Sequence, residues 1–437
     1  MTLGWLVLRM DPIEGDITSC HTYPMTGRGD VARILWTPAF QAGSYFPAVP
    51  IALELQARGH ELTVLCEAGS ELTFRSLGFD FRVTVRLDGA LLDQSLRGGE
   101  RETKLRRHET YVRALFEDVS RELGSRRYDA LFFDPLEPGS DFAAEAAGVE
   151  SVSYAHWCMD ETGADVPFCF HFWDRETPAP EAFVGWWNEQ RALVGLAPEP
   201  RSPSEHRWYR QSRSLTLILG LPELAYPKGE LPPYALRVGP LVWDPVAQQA
   251  LPAWVDQVGR DRPAILASVS TVGRADAQLI STLAEAVRDE PVDVVLTVPV
   301  ADEVPPLPDN VRLAQFVPHS ALIERVSLVI CHAGNGVVTR AACTGVPLLL
   351  FPDGRDRFEV ARGATEAGIA ITVDRDHCDA TTTRQAIRTL LKDGHYSRRA
   401  TELARTATNY TAAATAAAAI EQLLQQPTAP PAAHIQN

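Results

Sequence analysis

Short apolar runs alternate with amphipathic segments along the first half of the chain and predict strands separated by helices. The segment after the first run begins near Pro47 and Pro50 and ends at a glycine, which is typical of a helix. A strand, a helix and a second strand in this order form the unit from which parallel sheets are built. The runs that predict buried strands in this half are residues 33–37, 62–66, 130–134 and 151–155. A charged stretch at 98–127, with apolar positions such as Val112, Leu115 and Phe116, predicts an exposed helix.

The second half repeats the alternation after a proline-rich stretch at 227–238, which predicts a linker. Leu279, Leu283 and Val287 lie on one face of a helix between the first two strands of this half. The two halves predict an α/β protein with two Rossmann-like parallel-sheet domains facing a cleft, and such a cleft is the default ligand site. The strands predicted here are residues 264–270, 293–298, 327–331, 347–351 and 369–372.

These patterns also predict where the domains begin and end. Because the strand pattern starts near Val31, with Met25 shortly before it, we expect residues 1–24 to lie outside the core and a chain starting at Met25 to fold. The predicted parts are an N-terminal extension at 1–30, an N-terminal domain at 31–226, the linker at 227–238, a C-terminal domain at 239–411, an alanine-rich helix at 412–425 and a disordered tail at 426–437.

Length and charge narrow the possible functions. The 437 residues suffice for two domains, and the formal net charge of −15 disfavours nucleic acid and anionic lipid as partners. The seven cysteines are odd in number and include no C-x-x-C pair, which argues against a disulfide framework or structural zinc and favours a reducing cytoplasm. No apolar run reaches transmembrane length, so we expect no stable membrane insertion.

The segment from 327 to 357 contains the clearest chemical pattern. A buried strand ends before His332, Ala333, Gly334, Asn335 and Gly336, and a helix follows. Glycines let a ligand approach the backbone, and the N–H groups and positive dipole of a helix start attract phosphate. The sequence therefore predicts a diphosphate site to which His332 adds a hydrogen bond without a metal, with a simple turn as the alternative.

Other polar patterns are open to two interpretations. Asp356, after the next strand, is placed to accept hydrogen bonds from sugar hydroxyls. Asp374-Arg375-Asp376 could hold a metal, but its position before a helix favours a solvated loop, and we expect no metal site. We expect His60 to be a turn residue and His156 to be a reserve candidate for a base.

An aromatic stretch lies between 157 and 187. It fits either a cap on the first sheet or a pocket for a flat apolar substrate. Its candidate acceptor contacts are Trp157, Phe168 and Phe170, together with Phe46 from the first loop.

The combination of these segments resembles the donor-binding signature of family 1 glycosyltransferases, in particular the actinobacterial enzymes that decorate antibiotic aglycones. The resemblance covers roughly residues 30 to 425 and implies the GT-B fold. It implies inverting transfer from a nucleotide-diphosphate sugar, a TDP-sugar, to a hydrophobic aromatic or polyketide-like aglycone, with no cofactor beyond the nucleotide sugar as co-substrate. The residues implied in donor binding are Phe316 and Val317 at the base, with His319 in the same loop, and Ser268, Ser270 and Thr271 at the diphosphate.

Three positions depart from the family pattern. Ser44 follows Gly43 where the family places a catalytic His, Arg357 follows Asp356 where it has Gln, and Val337 replaces a Thr of the phosphate loop. A serine hydroxyl is too weak a base to replace imidazole near neutral pH. The family's Asp that orients the His is present as Asp134.

Desolvation at an interdomain cleft would make Asp134 a stronger base. We therefore expect it to take the acceptor's proton directly, or through Ser44 or a water. The alternative is that Asp134 is only a structural cap and that His156 or the substrate itself does this work. Three other functions stay open: a C- or N-glycosyltransferase of the same family, a weakened donor-binding sibling that acts as a partner protein, and a sugar-nucleotide epimerase. A homodimer is possible.

Overall fold

Two parallel sheets organise the part of the chain that the structure describes. The computed structural model describes residues 31–40, 42–87, 101–155, 180–202, 211–226, 229–245, 251–268, 276–298, 304–315, 317–353 and 356–425. Contacts divide the chain into Met1–Val31 and Ala32–Asn437, and the second unit contains both sheets.

The first sheet has seven parallel strands in the order β3-β2-β1-β4-β5-β6-β7. Ile34 lies opposite Leu62 on one side and Ala130 on the other, which places the first apolar run in the middle of the sheet. The strands are β1 (Arg33–Thr37), β2 (Glu61–Cys66), β3 (Asp80–Val83), β4 (Ala130–Phe133), β5 (Glu150–Ala155), β6 (Leu215–Ile218) and β7 (Ala235–Arg237).

Helices connect these strands and cover the sheet. In the charged helix over 101–125, Val112 and Leu115 are buried, so the expectation of an exposed helix is wrong for this face, which packs on the helix at 138–147. The helices are α1 (Ala42–Tyr45), α2 (Val49–Ala57), α3 (Glu71–Ser76), α4 (Arg101–Ser125), α5 (Pro138–Ala147) and α6 (Pro180–Leu193).

The second sheet has six parallel strands in the order β10-β9-β8-β11-β12-β13. Its strands are β8 (Ala264–Ser268), β9 (Asp293–Thr297), β10 (Val311–Ala314), β11 (Leu328–Cys331), β12 (Leu348–Leu350) and β13 (Ala370–Thr372). Its helices are α7 (Ala277–Val287), α8 (His319–Ile323), α9 (Asn335–Thr344), α10 (Arg357–Glu366), α11 (Ala380–Lys392) and α12 (Gly394–Ala407), followed by α13 (Ala412–Gln425). None of the helices in the described ranges is long and apolar enough to span a bilayer.

The proline-rich stretch at 227–238 is not purely a linker. Its last part forms β7, which pairs with β6 as the final strand of the first sheet. The prediction is wrong here because a three-residue strand among prolines has no recognisable period.

Each half contributes a segment to the other half's core. Ala416 and Ile420 of α13 are buried among the helix and strand residues of the first sheet. Leu221 and Leu224, which follow β6, are buried in the core of the second sheet. A Cβ at Gly363 of α10 would lie 2.1 Å from the Leu224 carbonyl oxygen, so only glycine permits this approach.

His60 ties α13 to the first sheet. Its ring is 9 % exposed, its Nδ1 accepts a hydrogen bond from the Ala32 N–H at 3.2 Å, and its Nε2 lies 3.1 Å from Glu421. Arg58 pairs with the same carboxylate at 2.9 Å. The turn residue expected from the sequence is therefore a cross-link to the C-terminal helix.

We predict that Ile420→Ala lowers the free energy of unfolding by about 2–5 kcal/mol, because it removes a fully buried side chain from the first core. Gln422→Ala, on the exposed face of the same helix, should change it by less than about 0.5 kcal/mol. Denaturant titration of both variants tests this. Equal effects would show that α13 does not stabilise the first sheet.

Asp141 makes stability depend on pH. Burial raises the pKa of this carboxyl from 3.8 to about 6, against the hydrogen bond from Ser151 and the charges of Arg201 and Arg213. The folded state therefore binds a proton more tightly than the unfolded state. The group's contribution to stability is complete below about pH 4 and is lost as the pH rises through about 6.

Asp141→Asn should accordingly stabilise the protein at pH 7.5 by up to about 3 kcal/mol and have little effect at pH 4. The measurement is the free energy of unfolding of both proteins across this range. Asp261→Asn, at an exposed position, serves as the control. A difference that does not grow between pH 4 and pH 7.5 would contradict the assignment.

Candidate functional site

The loop between β11 and α9 joins a buried strand to a helix through an unusual backbone conformation. Ala333 has a φ of 65°, a left-handed conformation that is rare without glycine and is often found at functional sites. His332 is 7 % exposed, and a Cβ at Gly334 would lie 2.8 Å from its Nε2. The sequence therefore needs glycine at 334 so that the His332 ring can lie over the loop.

The first turn of α9 presents main-chain groups. Gly334 is the N-cap and has no side chain, so backbone N–H groups and the helix dipole dominate this end. Gly336 is exposed, with no atom within 4 Å of the place that a Cβ would occupy. Asn335 and Val337 lie beside it in the same turn, half-buried. These are the features of an anion site at a helix start.

A second candidate group ends at the neighbouring strand. Ser268 is buried at the end of β8 and is in register with Cys331, which brings it next to the loop that carries His332. Ser270 and Thr271 lie outside the described residues. Of the residues predicted to contact a diphosphate, Ser268 and His332 therefore lie at the ends of two adjacent strands.

The acidic loop after β12 is held by arginines. Arg357 forms an ion pair with Asp353, and Arg375 Nη1 lies 2.9 Å from the same carboxylate. Asp356 is half-buried at the N-cap of α10. Arg357, which stands at the family's Gln position, thus positions the loop through Asp353.

Asp374 and its neighbours form a short 3-10 turn. Asp374 is exposed and pairs with His377 at 3.3 Å, while Arg375 also pairs with Asp276. Within the described ranges, no group of three or more His, Cys, Asp or Glu side chains is arranged to hold a metal ion.

The loop expected to hold a nucleotide base precedes α8. Val317 is buried in the second core, and Phe316 lies outside the described residues. Burial lowers the pKa of His319, with a smaller contribution from Arg340, while the charge of Asp244 opposes the shift. His319 is therefore a neutral ring beside an ion pair at physiological pH.

Asp134 follows β4 and starts a tight turn. Its carboxylate accepts a hydrogen bond from the Leu136 N–H at 2.9 Å, and its own N–H donates to the Thr37 carbonyl at 3.2 Å. The side chain is fully buried at 0 % exposure. Asp134 is thus a desolvated carboxylate at the end of a strand, and its place at an interdomain cleft stays a prediction.

A second buried carboxylate lies in the same turn and was not predicted. Glu137 donates its N–H to the Asp134 carbonyl at 2.8 Å, and its carboxylate accepts the Tyr111 hydroxyl at 2.6 Å. Burial and then Glu137 raise the pKa of Tyr111 well above 10, and burial and then Asp134 do the same for Tyr154. Both phenols therefore stay protonated. The sequence did contain a signal for Glu137, because an acidic residue stands three positions after Asp134, directly before a helix.

The first loop places the remaining candidates. Ser44 is 5 % exposed on α1, and Phe46 packs edge-on against Trp243 with ring centroids 5.0 Å apart. His156, Trp157, Phe168 and Phe170 lie outside the described residues.

The later part of the aromatic stretch belongs to the core. Phe183, Trp186 and Trp187 are buried with Phe142 of α5, whose ring is 5.1 Å from Trp187. This part forms the cap on the first sheet rather than a pocket.

The match to a known protein family lies in the second half of the chain. Residues 272–423 match the family described as "Erythromycin biosynthesis protein CIII-like, C-terminal domain". The chain is 30 % identical over 182 residues to 4'-demethylrebeccamycin synthase of Lentzea aerocolonigenes, which is 42 % of this chain and 43 % of that protein. The chain thus spans about two fifths of the length of the curated relatives it matches.

Solved structures resemble nearly the whole chain. The glycotransferase of kitacinnamycin superposes with a TM-score of 0.74 at 18 % identity, covering 91 % of this chain and 100 % of that one. A spinosyn rhamnosyltransferase complexed with thymidine diphosphate gives 0.66 at 21 % identity, covering 89 % and 100 %. Identities this low show the fold alone. The family match is thus confined to residues 272–423, and the chain has the GT-B fold of two parallel-sheet α/β domains.

Proposed function

We propose that this protein is a metal-independent, inverting glycosyltransferase that moves a sugar from a nucleoside diphosphate to a hydrophobic natural-product acceptor. The observation that carries the proposal is the loop from His332 to Gly336, where a buried strand passes through a left-handed residue into a helix start. Such a loop offers N–H groups and a positive dipole to a diphosphate. The family match over residues 272–423 supports the same half as the donor domain.

In this proposal the protein accelerates the reaction mainly by stabilising the leaving diphosphate. Displacement at the anomeric carbon puts charge on the departing diphosphate, and the first turn of α9 together with His332 meets that charge. Ser268 at the adjacent strand end would add a hydroxyl. Holding donor and acceptor in line would supply much of the remaining acceleration.

Two observations support the proposed substrates. A protein of the same fold binds thymidine diphosphate, which favours a TDP-sugar as donor. A relative that is 30 % identical over 182 residues is named 4'-demethylrebeccamycin synthase, which favours a natural-product acceptor. Phe46, half-buried beside Ser44, is the described aromatic residue that we assign to this acceptor.

The base is proposed to be Asp134. Because Asp134 is fully buried, proton transfer would pass through Ser44 or a water rather than occur by direct contact. Tyr154 and Tyr111 stay protonated beside the two carboxylates and would stabilise their charge. His156 is the alternative base.

A second candidate function is donor binding without transfer. It is favoured by the same burial of Asp134 and by Ser44 in the family's His position. Transfer or hydrolysis of a nucleotide sugar by the purified protein separates the two functions, since a binding protein would show neither.

We predict that Gly336→Ala weakens TDP and UDP binding while leaving the fold intact. The structure has open space for the new methyl group, and alanine favours a helix over glycine by up to about 1 kcal/mol, so stability should be unchanged or higher. A diphosphate seated on the first turn would meet the methyl group. His332→Ala should weaken binding by about 1.5–3 kcal/mol through the lost charged hydrogen bond.

Calorimetric titration with each nucleotide is the measurement. Gly124→Ala, also in a helix with open space around it, is the matched control and should bind as the wild type does. Wild-type affinity in both Gly336→Ala and His332→Ala would place the nucleotide elsewhere. Added EDTA should leave binding and transfer unchanged.

We predict that Asp134→Asn lowers turnover by about a hundredfold or more, the size of a lost general base, with TDP affinity unchanged. Steady-state transfer with saturating donor is the measurement, beside the same assay on His156→Ala. Near-normal turnover of Asp134→Asn would exclude it as the base, and a collapse in His156→Ala alone would assign the role to that residue.

A further inference from the structure

The segment that enters the second half, residues 241–244, contacts both halves of the protein. Trp243 packs against Phe46, which follows the first loop of the first sheet. One residue later, Asp244 directs its carboxylate to the second half. Neighbouring side chains of one short segment are therefore anchored on opposite domains.

The Asp244 carboxylate joins two elements of the second half. One oxygen lies 2.8 Å from Arg340 Nη2, and the other accepts the Ser320 N–H at 2.9 Å. The same Arg340 Nη2 also donates to the Trp243 carbonyl at 3.1 Å, so this nitrogen binds two adjacent residues of the segment. The pair is largely buried, with side-chain exposures of 17 % for Asp244 and 12 % for Arg340.

These two elements carry different parts of the proposed donor site. Ser320 lies in the first turn of α8, directly after the loop of Val317, which is assigned to the nucleotide base. Arg340 lies in α9, whose first turn begins at Asn335 and is assigned to the diphosphate. The ribose and its 5' linkage limit the distance between base and diphosphate in a nucleotide, so the two loops must keep a compatible spacing to bind both ends at once.

We propose that Asp244 is a positioning residue for the donor. It sets the spacing of the base loop and the phosphate loop by holding α8 and α9 together, and Trp243 transmits their position to Phe46 and the acceptor loop. This inference rests on the proposed function. It assigns no contact between Asp244 and the substrate.

An exposed ion pair near α8 provides a comparison for the buried pair of Asp244 and Arg340. Asp256 and Arg325 lie 3.4 Å apart just beyond the end of α8, with side-chain exposures of 66 % and 37 %. Exposed ion pairs of this kind contribute little to stability. Loss of one partner of a buried pair is costly, because the other charge stays buried without a counter-charge. Asp256 lies in the 3-10 turn Ala253–Gln257, and its partner Arg325 follows α8, so Asp256→Asn is a control for an exposed ion pair near that helix.

The test measures TDP binding by calorimetry in the full-length protein. Asp244→Asn should raise the Kd for TDP by about tenfold, within the usual range of coupling between sites, and Asp256→Asn should leave it within about twofold. The same change should appear in the KM for a TDP-sugar, with a smaller effect on kcat.

Arg340 provides a second, independent pair of variants. Arg340→Met should weaken TDP binding as Asp244→Asn does, and Arg340→Lys, which keeps the cation, should recover most of the loss. A purely structural role would lower the stability of the ligand-free protein and leave the Kd for TDP unchanged. That result, or an equal loss in Asp256→Asn, would overturn the proposal. Wild-type protein that binds neither TDP nor UDP would overturn the proposed function, and this inference with it.

Discussion

Parallel pairing of the strands determines where the chemistry of this protein can lie. The central strands of each sheet are covered on both faces, so polar side chains that must meet a ligand can only follow the strands, and in a parallel sheet all these positions share one edge. The candidate residues obey this constraint in both halves. They follow β1 as Ser44, β4 as Asp134, β10 as Val317, β11 as His332 and β12 as Asp353 and Asp356, with Ser268 at the end of β8.

The same constraint explains what the sequence could predict. Continuous apolar stretches such as 34–36 and 130–133 identify central strands, and the polar residues that follow each stretch are then candidates by position alone. Short or half-exposed strands lack that signal, and β7 lies unrecognised within the proline-rich stretch. Contacts that depend on the folded arrangement were also out of reach: Arg375 reaches Asp353 from 22 positions away, and Tyr111 reaches Glu137 from another helix.

Each half of the protein buries a segment in the core of the other half, which holds the two halves together around the loops of the proposed donor site. Leu224 is buried in the second core and lies so close to Gly363 of α10 that no side chain fits between them. Ile420 returns to the first core at the other end of the chain. Asp244 lies between these two crossings and bonds to α8 and α9. Burying two charges costs free energy, so we infer that the pair of Asp244 and Arg340 serves to position α8 and α9 rather than to stabilise the fold.

The turn from Asp134 to Glu137 bears on the missing histidine of the first loop. The two carboxylates of this turn, Asp134 and Glu137, are both buried, and they accept hydrogen bonds from the Leu136 N–H and the Tyr111 hydroxyl. The two tyrosines beside it keep their protons and can therefore donate hydrogen bonds to these carboxylates. Under the proposed function, the turn would accept a proton through Ser44, whose hydroxyl can both donate and accept. A carboxylate remains a weaker base than imidazole. Under the same proposal, Ser44 in place of His would therefore favour an acceptor that gives up its proton easily, such as a phenol or an activated ring carbon, over an aliphatic alcohol.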